Sequence, residues 1–416
     1  MIKMTRAYLL SIGNELLCGR TVDTNAAWLS GRLFAAGVQT ASVQCIADET
    51  ADIVQALRLA VQRADVVLVT GGLGPTDDDL TRQALAAYLG VELVYYPELG
   101  EKIEAFFTSR GLTMPQRNRV QACIPQGAEP IDNPRGTAPG VLYETEQTLI
   151  ALMPGVPAEM KAMFETSVLP RIQRRLGGPV VRSVNLRCYG AGESAVAEML
   201  GNRMRRGRNP LVNCTVSEGI ITLQVIAKAH TPQEAEQRLE TERLELEKML
   251  GNLVFGTGED TLQEVVGRLL KTKNKTVTVA ESCTGGLVAK LLTDVSGSSE
   301  YFNYGWITYS NQAKMEQLGL SSALLEEFGA VSEPAAQAMA EGAIRKARAD
   351  CAIGITGIAG PGGGTEQKPV GLVYISIMNN GICHVHRCHF TNAGRAAVRL
   401  RTAQTALNLL RLELTI

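Results

Sequence analysis

The sequence predicts an α/β protein in three parts: an N-terminal α/β domain with a parallel-rich sheet over 1–177, a small α+β module over 178–257, and a C-terminal α/β domain over 258–416. Three observations carry this expectation. Short apolar runs alternate with helical patterns from residue 7 to about 170, the order changes to β-α-β-β-α after Gly177-Gly178-Pro179, and a strand–helix alternation resumes near residue 259. A length of 416 residues agrees, because one core of ordinary size does not fill it.

In the first part "AYLLSIG" reads as a buried strand. A helix after Asp23, the strand "TASVQCIA", the helix "ADIVQALRLAVQRA" and the strand "DVVLVTGG" follow. Such an order makes right-handed βαβ units, whose ligands gather at the carboxyl ends of the strands. "VPAEMKAMFETSVLPRIQRRLGG" is the expected closing helix, with Gly177-Gly178-Pro179 as its stop. The middle module reads as strand "VVRSVNLRCYG", helix "ESAVAEMLGNRMRR", two strands around Glu218-Gly219, and helix "PQEAEQRLETERLELEKML". The last part has strands "TVTVAES", "CAIGITG", "GLVYISIM" and "CHVHRCHF" before a long C-terminal helix.

Composition excludes several classes of function. With 41 basic against 42 acidic side chains the net charge is −1, so no global field recruits nucleic acid or anionic membrane. The nine cysteines are scattered without CxxC spacing, which argues against a disulfide framework and a structural zinc site. The first apolar run is interrupted by Asn14 and Glu15 before it reaches signal-peptide length, and no run approaches transmembrane length. The expected location is the cytoplasm.

The stretch "TGGLGPTDDDLT" (70–81) combines glycines suited to close approach of phosphate with three aspartates that repel one. It lacks the Lys-Ser/Thr pair of a Walker loop. Asp77, Asp78 and Asp79 either complement the positive end of the next helix or share a divalent cation with a diphosphate, and Glu15 after the first strand can join them. Asp23 and Asp48 stand in comparable positions, as ligands or as helix cap and turn former.

A second glycine turn, "AESCTGG" (280–286), suits a monophosphate through backbone donors at Thr284, Gly285 and Gly286, or is a tight turn capped by Thr284. Cys283 reads as a nucleophile or as a small core residue. "GSSEYFNYGWITYSNQAK" holds Ser298, Ser299, Tyr309, Asn311 and Lys314; a Ser–Lys pair can transfer acyl groups, and surface serines with a helix lysine are the alternative. "TGIAGPGGGTEQKPVG" is a mobile lid, an oxyanion wall or a flexible connection. His384, His386 and Cys388 share one face of an extended "CHVHRCH", as a transition-metal site or a half-exposed strand. The arginines from Arg203 to Arg208 are solvated cations or nucleic-acid contacts.

Together these stretches resemble the competence/damage-inducible CinA family over essentially the whole chain. The N-terminal part is similar to the molybdopterin-binding fold through "GNELLCG", "DTN", "TGGLGPTDDDLT", "NPRGTAPG" and "MPGVPAEM". The C-terminal part is similar to nicotinamide mononucleotide amidohydrolases through "AESCTGG", "GSSEYF", "TYSNQAK", "GAVSEP" and "GIAGPGGG". The resemblance implies two activities: hydrolysis of the ADP-ribose diphosphate with a divalent ion of the Mg, Mn or Co class, and deamidation of nicotinamide mononucleotide with no cofactor. It implies Ser299 as nucleophile, Lys314 as its base, Tyr309 as helper and Thr356 beside the amide. Glu281, Thr284, Gly285, Gly286, Gly357 and Arg395 would bind the mononucleotide, Arg395 at its phosphate. In the first domain Gly71, Gly72, Asp48, Asn133 and Thr137 would bind ligand, and Glu15, Asp78 and Asp79 the metal. A pterin or nucleotide binder, or a competence- or DNA-repair-associated protein, without turnover at that site is the alternative, and a homodimer without membrane or nucleic-acid partners is expected. Gly362, where the family often has aspartate, and Met153, where leucine is frequent, depart from the pattern.

Overall fold

Strand Arg6–Ile12 is buried on both faces, as its uninterrupted apolar run requires, and it sits inside the first sheet. A computed structural model describes residues 5–175, 180–391 and 393–415; the stop expected at Gly177-Gly178-Pro179 lies outside them. Cα packing divides the chain into one unit that runs to Arg182 and includes Lys228–Glu236, and a second holding Ser183–Ala227 and the chain from Gln237 onward.

The first unit is built on six strands in the order Gln39–Ile46, Arg6–Ile12, Val66–Thr70, Leu149–Met153, Gly140–Glu144, Glu129–Ile131. The first four pair in parallel and the last two join antiparallel. The sheet is therefore mixed, because "GVLYE" and "LIALM" close a hairpin around Thr145–Thr148, where Thr145 N–H meets the Thr148 carbonyl at 2.9 Å. That turn carries no Asn-Gly or Asp-Gly signal. Alternation of side chains divides the core: Leu10, Ile12, Val67 and Val69 pack on one face, Ala7, Leu9, Val66 and Leu68 on the other. The closing helix is present as Pro157–Met163, a π-turn Phe164–Val168 and Leu169–Arg175, burying Met160, Phe164 and Ile172.

The middle module follows the expected order. Its sheet runs Leu211–Ser217, Ile220–Ala229, Val180–Cys188, Val254–Thr257. The hairpin turns at Glu218-Gly219, both at positive φ (52° and 85°), the conformation a tight two-residue turn demands.

The C-terminal sheet runs Phe302–Ile307, Val277–Glu281, Cys351–Gly357, Leu372–Asn379, Ile382–His389. The first three strands are parallel and the last two antiparallel. The edge strand Phe302–Ile307 was not foreseen, because "FNYGWI" mixes polar and apolar residues and a bulge breaks its alternation. Helices Leu262–Thr272 and Arg395–Thr415 cover one face. Helix Glu333–Ala347, N-capped by Ser332, covers the other. Thr261 and Glu264 form a reciprocal capping box at the start of Leu262–Thr272.

Candidate functional site

The parallel strands of the C-terminal sheet end together at Glu281, Ile307 and Gly357, and polar groups collect there. Lys314 is buried, 1% exposed, on a turn whose preceding helix Asn311–Ala313 is N-capped by Ser310. Its Nζ lies 3.1 Å from Ser282 Oγ, 2.9 Å from the Thr308 carbonyl and 3.3 Å from the Tyr309 carbonyl. Burial pushes the ammonium pKa down, with the Cys283 thiol opposing weakly. A neutral amine has two N–H donors for the two carbonyls and one lone pair facing Ser282.

The serine against Lys314 is Ser282 and not the expected Ser299. Ser299 lies on the exposed turn Ser298–Glu300, before a strand whose Phe302 pairs with Val277 and whose Ile307 pairs with Glu281. It thus stands beyond the amino end of the sheet, roughly 15 Å of strand away from Ser282. Glu281 is corrected too. Its fully buried carboxylate accepts from Gly286, Val288 and Ala289 N–H at 3.0, 3.1 and 2.8 Å, so its oxygens are engaged at the start of the following helix. Gly285 N–H is also spent, on the Ser282 carbonyl at 3.1 Å. The backbone donors expected to hold a phosphate at Gly285 and Gly286 are therefore occupied. Both glycines have left-handed φ, 60° and 90°, which the turn needs.

Tyr309 and Arg395 do meet: an Arg395 Nη donates to the Tyr309 hydroxyl at 2.8 Å and the other to the Gly360 carbonyl at 2.8 Å. Thr356 stands beside Ser282, whose N–H donates to the Ile355 carbonyl at 3.0 Å. The Thr356 hydroxyl, however, donates to the Ala330 carbonyl at 2.6 Å, so its side chain holds a loop. Gly357 admits no side chain, since a Cβ would lie 2.8 Å from the Leu372 carbonyl oxygen.

In the N-terminal unit a cavity of about 420 Å³ opens at the carboxyl ends of the strands, lined by Glu15, Asp48, Gly72, Asp78, Asp79 and Glu159. Gly71 and Thr137 line it as well. The glycines are dictated by the fold: Gly71 has φ 98° and a Cβ there would strike the Ile12 carbonyl, and Gly72 has φ 65° against the Thr81 hydroxyl. Asp48 accepts from Asn14 N–H at 2.8 Å, and its acidity is weakened first by burial, then by the negative charges of Glu15, Asp78 and Asp79. Asp79 accepts from the N–H and hydroxyl of Thr76, the N–H at 2.9 Å. Asn133 orders "NPRGTAPG": its amide accepts from Gly136 N–H and donates to Glu159 at 2.7 Å. Asp23 caps a helix through Ala26 N–H at 2.9 Å and is not part of the site. Among the described residues no group of three His, Cys, Asp or Glu is arranged to hold a metal ion.

Three family models match in chain order: "Probable molybdopterin binding domain" over residues 8–174, "Damage-inducible protein CinA KH domain" over 183–256 and "CinA C-terminal domain" over 259–414. A "Putative competence-damage inducible protein" of Clostridium novyi is 42% identical over 409 residues, covering 98% of each chain. The chain belongs to the CinA family. A relative from Symbiobacterium thermophilum is 42% identical over 90% of this chain and 89% of its own. Among solved structures, a competence/damage inducible protein from Agrobacterium tumefaciens is 42% identical, covering 38% of this chain and 98% of its own with a TM-score of 0.36.

Three residues of this CinA protein escaped the sequence reading. Ser282 stood inside "AESCTGG" at a strand-to-helix junction, a position that presents a side chain at the sheet edge. Arg82 is fully buried and donates to the Leu73 and Gly74 carbonyls at 2.6 and 2.9 Å, pinning the first glycine loop. Arg399 donates twice to the Thr284 carbonyl, at 3.1 and 2.7 Å. Burial raises the Cys283 thiol to about 12, which makes it a poor nucleophile. His384 pairs with Glu413 at 2.7 Å on a half-exposed strand. Arg203 pairs with Glu242 and Glu245, and Arg208 with Glu242, so two of the four arginines in the basic cluster are held by carboxylates. Among the described residues no helix is long and apolar enough to cross a membrane.

Proposed function

We propose that the C-terminal domain of this CinA protein deamidates nicotinamide mononucleotide to nicotinate mononucleotide. The observation that supports this reading is the buried Lys314 amine against the Ser282 hydroxyl, a nucleophile and base joined by one contact. Lys314, made less cationic by burial, takes the Ser282 proton as Oγ attacks the carboxamide carbon. The tetrahedral oxyanion then collapses, the C–N bond breaks, and the Lys314 proton leaves with ammonia. Water, deprotonated by the same amine, cleaves the acyl-serine and releases the carboxylate. Ammonia release from nicotinamide mononucleotide by the purified chain tests the reading, and a folded protein without turnover would overturn it.

For the N-terminal domain we propose binding and hydrolysis of the ADP-ribose diphosphate. An all-oxygen donor set fits a hard divalent cation, and Mg²⁺ commonly takes one or two carboxylates and completes its shell with substrate phosphates and water. Asp78, with Glu15 or Asp48, would hold the ion, which would supply charge neutralisation at the phosphates. The placement of Glu15, Asp48 and Asp78 in the lining of one cavity supports this. That Asp79 is engaged by Thr76 favours a second reading, ligand binding without turnover. Product analysis after incubation with ADP-ribose and Mg²⁺ or Mn²⁺ separates the two.

A further inference from the structure

A cavity of about 570 Å³ lies within the second unit, where the middle module meets the C-terminal helix Arg395–Thr415. Tyr189, Ala191 and Leu253 of the module line it on one side, and Phe390, Leu409 and Leu412 of the C-terminal domain on the other. Two side chains brace these walls. The Tyr189 hydroxyl meets the Thr405 hydroxyl at 2.9 Å and the Arg401 carbonyl at 3.2 Å, and an Arg411 Nη donates to the Asn252 carbonyl at 2.5 Å. Packed interiors leave few voids larger than a water molecule, so a braced space of this size with mostly apolar walls has the character of a small-molecule site.

The polar groups in it are few, and the one that decides the ligand's chemistry is an amide. Asn408 lines the cavity and is only 7% exposed. Its Oδ1 accepts from Arg411 Nε at 3.0 Å, which fixes the orientation of the side chain. Nδ2 is thereby turned toward Gly190, another lining residue, 3.8 Å from where a Cβ would lie there. Among the described residues that Nδ2 has no acceptor, and a nearly buried donor calls for one. Arg401 stands seven residues earlier on the same side of the helix, about 10 Å along its axis. Its guanidinium is the one charged group in the lining: among the described residues it pairs with no carboxylate, and no Asp or Glu lines the cavity. Both polar contacts on offer are therefore donors, one neutral and one cationic, at the two ends of an apolar slot.

We infer that this junction binds a small, largely apolar carboxylate whose acid group meets Arg401 and whose second oxygen, at the far end, accepts from Asn408 Nδ2. The inference needs neither of the activities proposed above. The test is calorimetric titration of the full chain with three matched compounds: acetylnaphthoate with ketone and acid on opposite rings, naphthoate without the ketone, and acetylnaphthalene without the charge. Wild type should bind acetylnaphthoate most tightly. Arg401→Gln should weaken acetylnaphthoate about tenfold and leave acetylnaphthalene unchanged. Asn408→Leu should erase the preference of acetylnaphthoate over naphthoate, which in wild type should be about threefold or more. Because Asn408→Leu also releases Arg411, the ratio of the two affinities within that variant is the readout, and a general loosening leaves it unmoved. No binding of acetylnaphthoate to wild type, equal affinities for all three compounds, or affinities that neither substitution changes would overturn the inference.

Discussion

Lys314 Nζ and Ser282 Oγ face each other at 3.1 Å inside a buried polar cluster, while Ser299 sits on an exposed turn past the other end of the same sheet. The first prediction follows from that separation. Ser282→Ala should lower ammonia release from nicotinamide mononucleotide by at least about 10³-fold, the usual scale for a lost nucleophile. Ser299→Ala should stay close to wild type. The reverse ranking, in variants with unchanged circular dichroism, would return the nucleophile to Ser299.

Lys314 must be neutral to accept a proton, and burial favours the neutral form. The rate should therefore climb with pH through a pKa below the ordinary lysine value of 10.5. Arg cannot deprotonate, so Lys314→Arg should be inactive at every pH. The same shift has a stability consequence. A base whose folded pKa is depressed is bound to more protons when unfolded, so stability rises with pH between the depressed value and 10.5. Chemical denaturation of Lys314→Met should lack that rise; an unchanged slope would mean that Lys314 titrates normally.

The sequence displayed most of the architecture because strand length and helical period are local properties, visible in "DVVLVTGG" or "ADIVQALRLAVQRA". What it concealed depended on pairing. The Gly140–Glu144 hairpin partner and the edge strand Phe302–Ile307 acquire their strand character from neighbours. The site was legible as a set of segments, and Lys314, Tyr309 and Arg395 do converge. Which serine meets Lys314 was not legible, since Ser282 precedes it by 32 residues and Ser299 by 15, and only strand register decides between them. Glu281 is expected among the substrate-binding residues, yet its carboxylate is engaged by backbone N–H groups, and Arg82, which the sequence does not single out, is engaged by backbone carbonyls.

Arg82 gives a prediction about the first loop. Its guanidinium is buried and satisfies two loop carbonyls, with Nε left unpartnered. Arg82→Met removes both bonds, leaving the Leu73 carbonyl only its long contact from Gln121 at 3.5 Å, and should destabilise the N-terminal unit by roughly 3 kcal/mol, from two hydrogen bonds to a charged donor. Urea melts followed by a probe in that unit should show the loss, with the C-terminal amidase rate intact. A melt superimposable on wild type would mean that the loop holds its shape without the arginine.

Asp78 and Asp79 differ in a way that separates ligand chemistry from loop support. Asp79 accepts from both the N–H and the hydroxyl of Thr76, whereas Asp78, exposed at the mouth of the cavity, has its carboxyl lowered chiefly by the Thr76 side chain. Asp78→Asn should therefore leave stability close to that of wild type, as for ordinary surface changes, while removing most Mg²⁺- or Mn²⁺-dependent cleavage of ADP-ribose. Asp79→Asn should weaken both, because the Thr76 contacts lose a charged acceptor. Chelation should abolish cleavage and leave amidase activity untouched, since the proposed Ser282–Lys314 mechanism calls on no metal. Cleavage that survives chelation, or an Asp78→Asn variant with full activity, would remove the cation from the N-terminal site and leave the acidic side chains only their structural roles.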